Sequence, residues 1–162
     1  MQNRNDEYFM REALKQARKA LKNNEVPVGA VIVKNGRIIA RGWNEREQKQ
    51  DPCRHAELTA IRRAARALGS WRLLDCALYV TLEPCAMCAG AIVLARIPRV
   101  VYAAADPKTG ACGSVLNVLS ERKLNHRPEV VSGLLADEAG QMLKDFFKKA
   151  RGKINRAKIK IF

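Results

Sequence analysis

An Asn35-Gly36 pair between two strand-like segments narrows the choice of fold more than any other feature of this sequence. Asn-Gly readily adopts the positive φ angles of a two-residue type I′ turn, so segments 26–34 and 37–44 are predicted to pair as a hairpin. Pro27 has no N–H to donate, which places the start of the first strand at an edge or at a non-pairing position. The sheet is therefore expected to begin with an antiparallel pair.

Helices and strands are predicted to alternate around this hairpin. A first helix, capped by Asn5 or Asp6, is predicted from apolar residues at a period near 3.6, and residues 45–54 are predicted to form a polar loop. The other predicted helices cover residues 55–68, a segment that begins at Pro84, and a segment from about 137 to 162. The other predicted strands cover residues 76–82, 97–104 and 128–132. This alternation favours an α/β fold, and we expect a three-layer α/β/α sandwich with a mixed five-stranded sheet in a single domain over residues 1–162.

The composition argues against a disordered or membrane-spanning chain. Hydrophobic residues make up 48% of the 162 residues, which is enough for a packed core. The longest apolar runs fall short of the ~18 residues that cross a bilayer, and the N-terminal residues are too polar for an export signal. Five cysteines in a chain without such a signal argue against a disulfide framework. We therefore expect a cytoplasmic protein that does not contact a membrane.

The C-terminal segment is strongly basic. The chain has a formal net charge of +14, and the residues from Lys144 to Phe162 contain eight Lys or Arg against one acid. Apolar residues at steps of three or four predict a helix with one apolar stripe in this segment. Such a helix can simply dock on the core and leave a solvated charged face. The single sign of the charge instead favours a polyanionic partner, with RNA or DNA ahead of a membrane surface.

Two short segments contain residue types that commonly bind metals, and each begins a predicted helix. The first covers residues 55–57 (His-Ala-Glu) and the second covers residues 83–88 (Glu-Pro-Cys-Ala-Met-Cys). Pro84 is favourable at a first helical position, so Cys85 and Cys88 are predicted to lie on one face of the first turn. The positive end of a helix dipole lowers the pKa of thiols there, and two thiolates three residues apart can bind zinc.

His55 is the best candidate for a third ligand. The other histidine, His126, lies in a polar segment without a partner at ligand spacing and is expected at the surface. Three protein ligands leave one position of a tetrahedral zinc ion open for a water molecule, as in catalytic sites. Cys53 is the one nearby thiol that could close the site, so a structural zinc site or a redox cysteine pair remains an alternative.

Glu57 is the candidate for proton transfer. It follows His55 by two residues, a spacing that separates side chains in mid-helix but allows both to face one site in the first turn. There the carboxylate can take a proton from an activated water and deliver it to a substrate nitrogen. Glu83 is the alternative general acid and base, although its place before Pro84 is typical of a strand-to-helix corner.

The pattern His-x-Glu followed by Pro-Cys-x-x-Cys is the signature of zinc-dependent nucleobase deaminases. Beyond the signature, the chain resembles the bacterial tRNA-specific adenosine deaminases, a family of the cytidine and deoxycytidylate deaminase superfamily, over nearly its whole length. The segments that resemble the family are Val26–Val33, Gly42–Asn44, His55–Glu57, Thr81–Ala91 and Asp106–Gly110. The last of these, followed by Gly113-Ser114, and the basic C-terminal segment favour the tRNA enzymes over the wider superfamily.

The resemblance implies a fold, an activity and a site. The fold would be the cytidine deaminase-like sandwich, assembled as a homodimer with one Zn²⁺ per chain. The reaction would convert adenosine to inosine at the wobble position of a tRNA anticodon stem-loop. The site residues that the resemblance implies are the zinc ligands His55, Cys85 and Cys88, the proton shuttle Glu57, and the substrate contacts Asn44, Asp106 and Lys108.

Two other functions share part of these features. A deaminase of free nucleobases or nucleosides, of guanine or cytidine type, would have the same ligands and Glu57 but no use for a basic C-terminal segment. A non-catalytic zinc module that binds nucleic acid would have a closed tetrahedral site, would release no ammonia and would leave Glu57 unexplained.

Overall fold

The computed structural model describes the backbone of residues 2–159 and the side chains of residues 5–152. The strands are β1 (Gly29–Lys34), β2 (Arg37–Trp43), β3 (Cys76–Leu82), β4 (Arg99–Ala104) and β5 (Glu129–Ser132). The α-helices are α1 (Gln2–Lys22), α2 (Arg46–Lys49), α3 (Ala56–Leu68), α4 (Ala86–Leu94) and α5 (Ala136–Ile159). A single 3-10 turn covers Val118–Ser120 in this part of the chain. None of the helices described is both long enough and apolar enough to cross a bilayer.

The strands form one mixed sheet in the order β2-β1-β3-β4-β5. Strand β1 runs antiparallel to β2 and β3, whereas β3, β4 and β5 are parallel to one another. The turn between β1 and β2 has φ angles of +49° at Asn35 and +71° at Gly36, both in the left-handed region that a type I′ turn requires. The predicted hairpin and the predicted mixed five-stranded sheet are both confirmed.

Helices cover both faces of the sheet, which confirms the three-layer sandwich. On one face, Ile32, Leu78 and Val100 pack against the buried residues of α3 and α4. On the other face, Val31 and Val101 pack against α1 and α5. The residues of β1, of β3 from Cys76 to Val80 and of β4 from Val100 to Ala103 alternate between the two cores, as the period of two along a strand demands.

Two glycines allow helices to approach the sheet closely. A Cβ atom at Gly29 would lie 2.2 Å from the carbonyl oxygen of Ala13 in α1. A Cβ atom at Gly42 would lie 2.2 Å from the carbonyl oxygen of Ala56 at the start of α3. Since these contacts are far shorter than a carbon and an oxygen tolerate, both positions require glycine at this helix spacing.

A buried ionic cluster ties α1 to the sheet. Asp6 accepts hydrogen bonds from the Tyr79 hydroxyl at 2.6 Å and from two nitrogens of the Arg99 guanidinium at 2.9 Å each. Burial alone would raise the pKa of Asp6, but these hydrogen bonds and the positive charge of Arg99 hold it below the ordinary value. The cluster lies where β3 and β4 begin, so it fixes α1 at the sheet edge where those two strands start.

The structure corrects the predicted starts of two helices. Helix α1 begins at Gln2, before the expected cap at Asn5 or Asp6. Helix α4 begins at Ala86 with Cys85 as its N-cap, so Pro84 precedes the helix instead of occupying its first position. The reason is a tertiary contact: the Pro84 carbonyl accepts the N–H of Ala111 at 2.8 Å and holds this segment extended.

Two further predictions are corrected in detail, and the last predicted helix is confirmed as far as the structure describes it. Residues 46–49 of the predicted polar loop form the short helix α2, held by a 2.7 Å hydrogen bond from the Gln48 N–H to the Glu25 carboxylate. His126, expected at the surface, is half-buried with its Nε2 2.7 Å from the carbonyl oxygen of Ile97. The last predicted helix is confirmed over residues 136–159, and its residues 160–162 lie outside the described part of the chain.

Candidate active site

The start of β1, the ends of β2, β3 and β4, and the starts of α3 and α4 meet at one edge of the sheet. This follows from the strand directions, because β1 is antiparallel to both neighbours while β3 and β4 are parallel. A pocket opens at this edge and contains most of the residues singled out in the sequence. Its lining residues are Val26, Val28, Asn44, Arg46, His55, Ala56, Glu57, Leu82, Glu83, Cys85, Asp106 and Thr109.

His55 and Glu57 both lie in the first turn of α3. His55 is the N-cap residue, with extended backbone angles, and Glu57 is the second helical residue. Two residues at this spacing can face one site only in such a first turn, and both side chains line the pocket. Glu57 is 4% exposed, so its carboxylate meets the pocket and not bulk solvent.

His55, Cys85 and Cys88 form a group that can bind a metal ion. Their ligand atoms all lie within 4.8 Å of one another, and the Nδ1 atom of His55 is 3.7 Å from Cys85 Sγ and 3.5 Å from Cys88 Sγ. Zinc bonds of about 2.3 Å to sulfur and about 2.1 Å to nitrogen, at a tetrahedral angle, separate the two ligand atoms by roughly 3.6 Å. The donor types and their spacing therefore fit zinc. Cys53, the possible fourth ligand, lies outside this group.

The three candidate ligand side chains shift one another's pKa values through hydrogen bonds and charge. Hydrogen bonds from the Cys88 thiol and from His55 lower the pKa of Cys85 to about 4, although burial opposes the shift. The same hydrogen bond to Cys85, together with burial, raises the pKa of the Cys88 thiol. The contact with Cys85 also raises the pKa of His55. Cys85 is thus a thiolate at neutral pH, which is the form that binds a metal.

Burial dominates the electrostatics of Glu57. It raises the pKa of this carboxyl to about 7, although a backbone hydrogen bond and the nearby His55 favour the ionised form. A carboxyl that lies in a pocket beside three candidate metal ligands, and outside that group, has the position to exchange protons with a bound substrate.

Glu83, the alternative general acid and base, has a different environment. It is 2% exposed, and it accepts the N–H groups of Asp106, Cys112 and Ser114 at 2.9–3.1 Å as well as the Ser114 hydroxyl. Burial alone would raise the pKa of Glu83, but these hydrogen bonds keep it below the ordinary value. Since both carboxylate oxygens are occupied by a loop, Glu83 is a poor proton carrier, and the geometry favours Glu57 for that role.

Asn44 lies in the pocket lining and is held there by a residue that the sequence analysis missed. Its Nδ2 donates to Glu25 Oε2 at 3.3 Å, and Glu25 Oε1 accepts the N–H of Gln48. Glu25 is completely buried. With its amide nitrogen bound in this way, Asn44 presents its oxygen as the group left to meet a ligand. An acid directly before the apolar Val26–Val33 segment was the only sequence signal for Glu25.

Of the two remaining predicted substrate contacts, Asp106 lines the pocket and Lys108 does not. Asp106 lines the pocket, where its carboxylate accepts the N–H groups of Lys108 and Thr109 and the Thr109 hydroxyl. Lys108 is exposed and lies outside the pocket lining. The pocket also contains Arg46 and Thr109, which the sequence analysis did not single out.

A groove of about 560 Å³ continues from the pocket toward the C-terminal helix. It runs between the loop after β4 and α5, and it shares Val26, Leu82, Asp106 and Thr109 with the pocket. Its cationic and aromatic lining residues are Lys108, Lys144, Phe147 and Arg151. The basic C-terminal helix therefore forms one wall of a groove that opens into the site.

The chain is similar to known deaminases in sequence and in structure. The family model described as MafB19-like deaminase matches residues 4–151. The tRNA-specific adenosine deaminase of Bacillus subtilis (strain 168) is 53% identical over 94% of this chain and 95% of its own length. A solved structure from studies of A-to-I editing by tRNA:A34 deaminases matches with a TM-score of 0.81 and 48% identity, over 84% of this chain and 99% of that one.

A more distant match shares the fold. The guanine deaminase from Nitrosomonas europaea aligns with a TM-score of 0.73 and 26% identity, over 86% of this chain and 83% of that one. The adenosine deaminase of Bacillus subtilis differs from this match by its higher identity, 53% against 26%, and by its coverage of 94% of this chain and 95% of its own length. On these grounds the chain belongs to the MafB19-like deaminases and, among them, to the tRNA-specific adenosine deaminases.

Proposed function

We propose that this protein hydrolyses adenosine to inosine at the wobble position of a tRNA anticodon, in a zinc-dependent reaction that releases ammonia. The observation that supports this most is the buried Glu57 carboxylate in the pocket that His55 and Cys85 also line. The named activity of the Bacillus subtilis relative supports the same substrate. One acid beside three metal ligands is the residue set that hydrolytic deamination of a base requires.

Zinc is the metal of this proposal. His55 would hold it through Nδ1, and Cys85 and Cys88 through their sulfur atoms, because these atoms have the spacing that a tetrahedral zinc ion needs. Two thiolates favour zinc over magnesium or calcium, which prefer oxygen ligands. When bound, the metal supplies a Lewis acid that lowers the pKa of a water molecule to about 7.

Glu57 supplies the proton transfers. Its carboxylate takes a proton from the attacking water and passes it to a ring nitrogen of adenine while the water oxygen bonds to C6. The second water proton passes through the same carboxylate to the amino group on C6. The C–N bond then breaks and ammonia leaves, so one water is consumed for each inosine formed.

The groove explains why the substrate should be RNA and not a free base. In an anticodon loop the target base can splay out into the pocket at lower cost than from a duplex. Asn44, at the pocket, is then proposed to contact the target nucleoside, and Asp106 and Lys108, in the loop after β4, are proposed to contact its neighbours. Phe147 is 45% exposed on the groove and offers a ring on which a flanking base can stack.

The first experiment measures inosine and ammonia after the zinc-loaded protein meets an anticodon stem-loop with adenosine at the wobble position. Free adenosine, cytidine and guanine serve as parallel substrates. We expect inosine in the stem-loop and negligible turnover of the free compounds. Turnover of a free base alone would instead favour a nucleobase deaminase, and turnover of none of them would favour a non-catalytic zinc module.

Replacement of Glu57 tests its role separately. Glu57→Ala is expected to lower kcat by about 10²- to 10⁴-fold, the usual contribution of general acid–base catalysis, because no other carboxylate at the pocket is free to replace it. Zinc content, measured by elemental analysis, is expected to stay near one per chain. Loss of zinc together with activity would show that Glu57 is a ligand.

The assembly we propose is a homodimer that pairs the exposed side of α4. Met87, Gly90, Ala91 and Leu94 lie at i, i+3, i+4 and i+7 on this apolar helix, and Leu94 is 70% exposed. The two small residues allow a second helix to approach closely, and a two-fold pairing would cover both stripes at once.

Leu94→Lys is therefore expected to give a monomer in sedimentation velocity. Leu74→Lys, at a position 58% exposed outside α4, should leave the dimer intact. A dimeric Leu94→Lys variant would contradict the α4 interface.

A cytoplasmic location belongs to the same proposal. The substrate proposed is a tRNA, and all five cysteines are free, as expected in a reducing compartment.

A further inference from the structure

The buried carboxylate of Glu83 has no cationic partner among the described residues; all its hydrogen bonds come from one loop. Oε2 accepts the N–H of Asp106 at 2.9 Å, and Oε1 accepts the N–H groups of Cys112 at 2.9 Å and Ser114 at 3.1 Å. The Ser114 hydroxyl also donates to Oε2. One carboxylate thus binds both ends of loop 106–114.

The loop is shaped to approach this carboxylate closely. A Cβ atom at Gly110 would lie 2.4 Å from the carboxyl carbon of Glu83, so a side chain is excluded there. The Ala111 N–H donates to the Pro84 carbonyl at 2.8 Å, and Gly110 pairs with Cys85 in an isolated β-bridge. The loop therefore rests directly on the segment that contains the proposed zinc ligand Cys85.

The side chains that this loop presents to the pocket depend on the same anchor. Asp106 and Thr109 line the pocket, and they are joined to each other by a 2.6 Å hydrogen bond between hydroxyl and carboxylate. The two ends of their turn are held separately: the Asp106 N–H donates to Glu83, and Gly110 bridges to Cys85, so the Asp106 end depends on the Glu83 hydrogen bond. Displacement of that hydrogen bond would move the rim of the pocket and leave the ligand cluster in place.

We propose that Glu83 is a positioning residue that sets the substrate-facing rim, Asp106 and Thr109, at a fixed place relative to the zinc ligands. This inference rests on the proposed function and assigns Glu83 to the binding of the RNA, not to proton transfer. Its loss should therefore weaken substrate binding much more than it slows the chemical step.

The test compares Glu83→Gln with two other variants. Glutamine keeps the shape of glutamate but replaces one acceptor oxygen by an NH₂ group, which would face an N–H donor of the loop. Ser114→Ala removes a single donor and keeps the carboxylate, so it should raise KM less than Glu83→Gln does. It remains a test of the proposal if Glu83→Gln fails to fold. Glu121→Gln, at an exposed position outside the loop, is the matched control for the loss of one negative charge.

Three quantities are measured on the zinc-loaded protein: KM and kcat for the anticodon stem-loop, zinc per chain, and hydrogen exchange of the Asp106, Cys112 and Ser114 amides. For Glu83→Gln we expect KM to rise at least tenfold, kcat to change by less than threefold, zinc to remain near one per chain, and exchange at the three amides to accelerate. Glu121→Gln should match the wild type in all of them.

Other outcomes would overturn the proposal. A collapse of kcat at unchanged KM would return Glu83 to proton transfer, and loss of zinc would make it a support of the metal site. Faster amide exchange with unchanged KM would show that the loop does not position the substrate. If the wild type itself left the stem-loop unmodified, the proposed function would fail, while binding of the stem-loop and amide exchange in the variants would still decide whether Glu83 positions the rim.

Discussion

At the scale of the residue, the contact between Glu25 and Asn44 makes a specific prediction. Glu25→Gln should lower kcat/KM for the stem-loop about tenfold. Asn44 and the Gln48 N–H bond to different oxygens of Glu25, glutamine keeps only one of these oxygens, and a hydrogen bond to a charged group contributes roughly 1.5 kcal/mol. Steady-state kinetics with zinc content checked would measure this. Glu121→Gln, exposed and outside the pocket lining, is the control and should behave as the wild type. An unchanged kcat/KM in Glu25→Gln would mean that the orientation of Asn44 does not matter.

The same scale shows what the sequence can and cannot predict. Local spacing could predict that His55 and Glu57 share one helical turn and that Cys85 and Cys88 share another. That the two turns meet across about 30 residues came from the deaminase signature and not from spacing. The partners of Glu25 and Glu83 lie about 20 to 30 residues away and meet them only through the fold. Local spacing holds no information about such contacts.

At the scale of the element, Gly29 and Gly42 both allow a close helix–sheet contact, but their substitution by alanine should affect zinc binding differently. Gly29→Ala and Gly42→Ala should each destabilise the fold by about 1–3 kcal/mol, since a Cβ atom meets a helix backbone at both positions. Only Gly42→Ala displaces Ala56, which lies between His55 and Glu57, so only this variant should also bind zinc more weakly. Urea denaturation and zinc titration would test both statements.

Gly140 provides the control for this pair. An added Cβ atom there meets no heavy atom within 4 Å, and the residue lies inside α5. Gly140→Ala should leave stability unchanged or raise it by up to about 1 kcal/mol, because alanine is the better helix former. Equal zinc affinity in the Gly29 and Gly42 variants would refute the link between the Gly42 contact and the site.

Elements with strong local signals were the ones that could be predicted. The hairpin follows from the conformational freedom of Asn-Gly, and α3 ends at Gly69 in the left-handed region, as a glycine after an apolar helix indicates. Helix α2 is only four residues long and is held by the distant Glu25, so its sequence resembles a polar loop. Strand order could not be predicted because crossovers of similar length allow more than one neighbour.

At the scale of the whole molecule, the basic groove predicts a dependence on salt. Lys144→Gln combined with Arg151→Gln removes two cations from the groove wall and should reduce the slope of log Kd against log salt by about 1.4, because each contact to a single-stranded phosphate contributes roughly 0.7. Lys148→Gln combined with Lys149→Gln removes the same charge from α5 outside the groove lining and should change the slope less. Filter binding of the stem-loop between 50 and 200 mM salt would measure both slopes. Equal slopes for the two double variants would contradict a defined RNA path along the groove.

The helix starts at the pocket have a cost in stability. His55 and Cys85 occupy the N-cap positions of α3 and α4, and neither side chain makes a capping hydrogen bond. A serine or aspartate at such a position typically stabilises a helix by about 1 kcal/mol. The proposed ligand set would therefore keep the metal-free protein less stable than its architecture permits, and a bound metal would offset this cost. Serine or aspartate at either position is therefore expected to stabilise the metal-free protein while it removes a proposed zinc ligand, so stability and metal affinity would change in opposite directions.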